Sequence, residues 1–479
     1  MTQNAEGSLK YVWNFALPLI IAQASYTMMQ FMGRLFLSWY GTDELAASTP
    51  SGILSFLMIC FFVGVASYSN VFIAQYFGRK DYEKLTLFLW QGFFFALMAA
   101  FIIVATIPLG LFLLKFSTLD PHILKLERTY YLAAAPAGIF AVINAALSSF
   151  FTGRGQTKVT MMTNFLANLI NMGVCYALVF GAGPISPQGI KGTAYALIAG
   201  NLFITIVYLS LILCKKNRVE LLTAKLFRFD FILFKKLLHY GIPNGVSFLL
   251  DISAFSAFIF IIGNLGTTAL AANNIALSIE SLSFLPILGI GIATSTLVGQ
   301  MIGRGRNDLA IRCTFSALQI NLIYTAALAL AFFFIPDFFI SFFAMKNPQG
   351  MHEIQIQTHS LLKILAFFIL ADAVALTFGS AIKGSGDTRF QMLMSVLSSW
   401  IFFVPSVYIV CHVYKKPIEW AWIISTIHLS FLGIVFTLRF LSNRWQLINM
   451  TSSEKTKEDK DKDEENESIH YNIKKPILE

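Results

Sequence analysis

The stretch Tyr240-Gly-Ile-Pro-Asn-Gly-Val-Ser-Phe-Leu-Leu-Asp251-Ile-Ser-Ala-Phe-Ser-Ala-Phe-Ile-Phe-Ile-Ile262 is apolar over a membrane's width and holds one carboxylate in its middle. A helix needs about 20 such residues to cross a bilayer core. A charge near the centre of a spanning helix costs roughly 2.5–3.5 kcal/mol on insertion scales, so an acid kept there has work to do.

Runs of the same kind fill the chain. Of 479 residues, 56% are hydrophobic and 13% charged, with a mean hydropathy of +0.67; a soluble domain carries about twice that charge. Twelve spans are predicted, at approximately 14–38, 52–75, 87–114, 130–151, 159–181, 191–213, 239–262, 276–300, 313–335, 359–382, 391–412 and 418–441. Aromatics gather at their ends, among them Trp13, Trp39, Tyr40 and Trp420, as interfacial belts do. The fold class is therefore an all-α integral membrane protein.

The net charge of +9 does not point to nucleic acid, because the basic residues sit in short loops between spans. The five cysteines are scattered without metal spacing and read as free thiols. Met1–Gly7 is polar, without the basic start of a cleavable signal. Lysine and arginine are about twice as frequent in the loops after the even-numbered spans as in the opposite loops, which places both termini in the cytoplasm of a plasma (inner) membrane. The expected organisation is an N-terminus at 1–13, six spans over 14–213, a linker at 214–238 lying on the membrane surface, six spans over 239–441, and a charged, disordered tail at 442–479.

The halves repeat each other. At an offset of 225, Pro18 falls on Pro243, Leu45-Ala-Ala47 on Leu270-Ala-Ala272, Gln75 on Gln300, and Gly78-Arg79 on Gly303-Arg304. At an offset of 231, Gly153-Arg-Gly-Gln-Thr157 falls on Gly384-Ser-Gly-Asp-Thr388. Glycine, proline and small residues dominate these matches; they let helices bend and approach closely in lipid. Six spans per half place the halves in the same orientation about an axis along the membrane normal, a transporter architecture.

Of the 26 acids, the reading places Asp251, Glu280 and Asp372 well inside spans, all in the second half, with Glu419 only at the edge of the last span. Their repeat counterparts are Tyr26, Ser55 and Ala141. Ionised, such acids bind a cationic solute; protonated, they release it, which is the differential affinity an exchanger needs. Alternatively the pair Asp251 and Asp372 holds Na⁺, helped by Asn244 and Ser247, which share a helical face with Asp251. Asn164, Asn168 and Asn171 lie on adjacent turns of the fifth span and either line a cavity or bond helices together. Glu280 lies near a helix start and either faces the cavity or a watery vestibule. His428 reads as a packed polar residue. No cofactor is expected beyond the coupling ion, and no nucleotide-binding loop marks an enzyme or an ATP-driven pump.

At Ala16-Leu-Pro18, Gly41-Thr-Asp-Glu-Leu45-Ala-Ala47, Ala74-Gln-Tyr-Phe-Gly78-Arg79, Leu297-Val-Gly-Gln300-Met-Ile-Gly303-Arg304 and Lys383-Gly-Ser-Gly-Asp-Thr-Arg389 the chain resembles the multidrug and toxic compound extrusion (MATE) family, in its bacterial NorM-like branch. The resemblance runs from about Tyr11 to Arg439. It implies two six-helix lobes in a V and export of bulky, often cationic solutes against inward H⁺ or Na⁺, with acids of helices 7 and 10 at the cation site. Asp251 and Asp372 match those acids. The family's helix 1 acid is Gly33 here, its helix 5 acid is Cys175, and an aromatic hydroxyl before the helix 10 acid is Phe368. The resemblance thus implies coupling through the second lobe alone.

Small cationic or amphipathic solutes and the bilayer are the expected partners, and the chain is expected to act as a monomer. A flippase of lipid-linked saccharides is the alternative; it calls for cations inside the spans, and the intramembrane charges read from the sequence are acids. A non-transporting scaffold is disfavoured by the repeat and the midplane acids.

Overall fold

The computed structural model describes residues 6–116, 120–182, 186–343, 348–448 and 450, with the side chains of 348–352 left aside. Twelve helices are long and apolar enough to cross a membrane: α1 (Leu9–Tyr40), α2 (Thr42–Arg79), α3 (Tyr82–Leu113), α4 (Pro121–Gly153), α5 (Thr157–Phe180), α6 (Ile190–Ile212), α7 (Phe231–Gly263), α8 (Thr267–Gly303), α9 (Asn307–Phe334), α10 (Glu353–Ser385), α11 (Thr388–Val413) and α12 (Ile418–Leu441). The described residues contain no strand. α1–α6 form one lobe and α7–α12 the other. The end carrying Leu9 and Leu441 is the base of the molecule, and the opposite end is its mouth.

Several helices outrun their hydrophobic runs. α1 begins at Leu9, where the Ser8 side chain accepts from the Tyr11 amide. α4 begins at Pro121, with Asp120 accepting from the His122 amide. α7 begins at Phe231, with Asp230 accepting from the Ile232 and Leu233 amides. Hydropathy marks the lipid-buried part of a helix; these caps satisfy the first orphan N–H groups further out, in water.

The linker is correspondingly shorter than the 214–238 read from sequence. It contains a short helix, Lys215–Glu220, and then crosses α3. Thr86 Oγ1 donates to the Leu221 carbonyl at 2.8 Å, Trp90 Nε1 to the Thr223 carbonyl at 2.9 Å, and Gln91 Nε2 to the Arg228 carbonyl at 3.1 Å. Phe227 packs against the Trp90 ring with centroids 4.6 Å apart. The tail also starts later than 442. Residues Arg444–Leu447 form a 3₁₀ turn, in which Trp445 is wholly buried, stacks on Phe440 and donates to its carbonyl at 2.8 Å. The disorder expected for 451–479 concerns residues outside those described.

The two lobes meet at the base through the repeated motifs. Gln75 Nε2 donates to the Gly384 carbonyl at 3.1 Å, and its repeat mate Gln300 donates to the Gly153 carbonyl at 2.7 Å. A side chain at Gly78 would collide with the Gln300 carbonyl, and one at Gly303 with the Gln75 carbonyl. Asn70 Nδ2 donates to Thr296 Oγ1 at 2.8 Å, and the Tyr68 hydroxyl to the Lys383 carbonyl at 3.2 Å. Higher up, α2 lies on α7: Asn244 Nδ2 donates to the Gly64 carbonyl at 2.5 Å, and Phe56 meets Phe248 edge to face at 6.0 Å. α1 lies on α8, with Ile20 against Gly289.

A branched side chain at Gly303 has no room in this seam. With spin labels at Lys80→Cys and Arg306→Cys, both exposed at the base, Gly303→Val is expected to lengthen and broaden the distance distribution measured by double electron–electron resonance. Trp445→Ala is expected to cost about 3 kcal/mol, the range for emptying a buried aromatic site, read as a lower melting temperature of the purified protein.

Candidate cation and solute site

Asp251 lies about two turns of α7 beyond Asn244, on the side that meets α2 lower down. Its side chain is exposed, where the seam has ended. Ser247 Oγ donates to Asp251 Oδ2 at 3.4 Å, and Ser399 of α11 stands beside the carboxylate. α11 is widened at this level into π-helical turns, Ser398–Phe403. Pro405 follows two residues later and cannot donate to the helical ladder. Trp400 Nε1 donates to the Leu250 carbonyl at 3.2 Å, fixing the wide turn beside Asp251. His428, read from sequence as packed, is buried, with Nδ1 2.7 Å from Ser398 Oγ and its ring stacked on Phe403.

The other two acids form a separate group between α8 and α10. Gly384 lies against Ser295, and Gly291 against Ser380. These helices are thus in register with Asp372 beside Ser283, and Glu280 stands about one turn nearer the mouth. Both acids are half-buried, and Glu280 lies within the field of Asp372. The sequence grouped Asp251 with Asp372 and left Glu280 as a third; the geometry instead sets Glu280 by Asp372 and gives Asp251 two serine hydroxyls. Among the described residues no group of three or more His, Cys, Asp or Glu converges as a metal cage. Phe368 packs on Trp422 at 5.5 Å within the apolar core of the second lobe.

Asn244, expected as cavity lining, sits in the seam. It and Gly64 carry the α2–α7 contact, so a buried Asn on the right face is spent below the level where the lobes part. Ser247 is buried and turned to Asp251. In α5, Asn164 is half-buried, while Asn168 Oδ1 and Asn171 Nδ2 are buried atoms without a hydrogen-bond partner among the described residues. Cys175, one turn on from Asn171, is buried.

Two more charged residues bear on the site. Arg34 lies inside α1, as it does inside the predicted span 14–38, so the intramembrane charges are not acids alone. Glu127 is buried within α4. The predicted span begins at 130, three residues too late to include it.

Twelve helices in two repeat-related lobes, joined at the base and with acids inside the second, define a membrane transporter rather than an enzyme. The MatE family model matches residues 18–177 and 243–409, and the chain belongs to that family. It is 24% identical over 450 residues, 94% of this chain and 96% of the relative, to the probable multidrug resistance protein NorM of Thermotoga maritima. Its fold is similar to that of a MOP superfamily transporter from Pyrococcus furiosus, with a TM-score of 0.83, 18% identity, and coverage of 92% of this chain and 97% of that one. The same figures hold for the outward-facing conformation of a multidrug resistance MATE family transporter.

Because Glu280 and Asp372 share one space and Asp251 stands apart, Glu280→Gln and Asp372→Asn are expected to be non-additive in the dissociation constant of a fluorescent organic cation, with a coupling of about 1 kcal/mol. Asp251→Asn and Glu280→Gln are expected to add to within about 0.5 kcal/mol.

Proposed function

We propose that the protein exports small cationic or amphipathic solutes, multidrug substrates among them, in exchange for inward H⁺ or Na⁺, through the acids of its second lobe. The observation that carries this reading is the placement of Asp251, Glu280 and Asp372. All three belong to α7–α12, and their repeat counterparts Tyr26, Ser55 and Ala141 carry no charge at neutral pH. Ionised, the acids attract a cationic solute; occupied by H⁺, they release it. One charge moved inward through the membrane field yields about 2.3 kcal/mol per 100 mV. H⁺ is the favoured ion, since Phe368 offers no oxygen where a Na⁺ ligand would stand.

With both termini in the cytoplasm of the plasma membrane, the glutamine seam closes the inner side and Asp251 faces outward. Such a state is ready to load the ion. One chain carries both lobes and all three acids, so a monomer suffices. The flippase reading gains Arg34 as an intramembrane cation, but one arginine faces three acids.

Asp251→Asn and Asp372→Asn are each expected to abolish ethidium efflux while leaving membrane expression intact. Wild-type rates in both variants would refute coupling through these acids. In proteoliposomes, an imposed pH gradient is expected to drive efflux and an imposed Na⁺ gradient is not.

A further inference from the structure

Arg34 has no place in the cation-export scheme. It has no hydrogen bond or ion pair among the described residues and its side chain is exposed. An arginine near a helix end ordinarily snorkels to the surface along the lipid side. On α1 that outer side carries Leu17, Ile21, Met28 and Phe31, all exposed. Arg34 is on a different face. It lies about five helical turns beyond Ala16, and Val12, Ala16 and Leu19 are buried against Ile290, Ala293 and Leu297 of the other lobe. Tyr26, Gln30 and Arg34 continue that face, one turn apart and all exposed, beyond the level at which the lobes separate. The stripe therefore looks into the space between lobes, opposite the acids. A Cβ on the neighbouring Gly33 would meet nothing within 4 Å.

The groups around this stripe are hydrogen-bond donors. Tyr26 lies one turn from Gln30, beside it, and Tyr130 of α4 shares its surroundings with Arg34, Tyr26 and Cys175. One turn from Cys175, Asn171 is 1% exposed, and its amide nitrogen lacks an acceptor. The guanidinium is the one formal charge in this set, and together with phenol O–H and amide N–H donors it suits a carboxylate or a phosphoryl oxygen.

We propose that the first lobe holds an anion subsite centred on Arg34 and that the solute is amphoteric, its anionic group on Arg34 and its cationic group on the acids of the second lobe. This rests on the proposed role of those acids. Arg34 stands about 12 Å of helix rise beyond Tyr26, the repeat mate of Asp251, so the fitting solute is a rigid molecule with its charges on the order of a nanometre apart.

The test uses a matched pair of dyes, a cationic rhodamine carrying a free benzoate and its methyl ester, which differ only in the anion. Binding to the purified full-length protein is followed by fluorescence anisotropy. Wild type is expected to bind the acid about tenfold more tightly than the ester, the worth of one charge-assisted hydrogen-bonded pair. Arg34→Gln is expected to erase that preference by weakening the acid alone, and Arg34→Lys to retain part of it. An Arg34→Gln protein that keeps the preference, or that loses acid and ester equally, overturns the anion subsite. Failure of the underlying reading looks different: Asp251→Asn and Asp372→Asn would then bind the ester as tightly as wild type does.

Discussion

Two glutamine amides carry the closure on which the site depends. Gln75 and Gln300 each cross from one lobe to a glycine carbonyl of the other, at Gly384 and Gly153. Each such bond contributes only about 1 kcal/mol net, but both donors and both acceptors are buried, so breaking the seam without water leaves four orphan groups. The glycines beside them, Gly78 and Gly303, remove the side chains that would hold the backbones apart. Opening such a seam therefore requires water to take over all four groups together.

Above the seam the lobes share a skeleton and differ in chemistry. The repeat gives α1 and α7 the same bend-permitting proline, at Pro18 and Pro243, and the same seam-facing stripe. Beyond the closure, α1 presents Tyr26, Gln30 and Arg34, while α7 presents Asp251 and Phe255. The polarity of the space between them is therefore set by a few differing side chains on a shared frame. Glu280 and Asp372 deepen the acidic side from within the second lobe, where α8 and α10 run in register.

Much of this is legible in the sequence because lipid enforces it. Backbone groups in a bilayer must be satisfied within the helix, so twelve apolar runs mean twelve helices, and the offsets of 225 and 231 expose the two lobes. The polar caps Ser8, Asp120 and Asp230 are not legible as starts, because hydropathy fades before the helix ends. Spacing along one helix shows that Asn244, Ser247 and Asp251 share a face. It does not show that the seam ends between Asn244 and Asp251, which depends on the partner helix α2. The pairing of Glu280 with Asp372 likewise needs the register between α8 and α10, fixed by the contacts of Gly291 and Gly384. Arg34 stands in plain view inside the predicted first span, but which face of the helix it shares becomes legible only once α1 is seen packed on α8 through Val12, Ala16 and Leu19.

Asp230 belongs to both lobes at once. Its amide donates to Gln91 Oε1 of α3 at 3.1 Å, while its carboxylate caps the first turn of α7. The linker before it is fastened to α3, and a 33-residue helix with Pro243 inside it follows. That makes Asp230 a fulcrum and α7 a lever about 50 Å long. A tilt of about six degrees at the fulcrum sweeps the far end through about 5 Å, roughly one helical pitch. Over as much of α7 as moves in one piece, a small tilt at this cap is thus magnified toward the far side of the molecule.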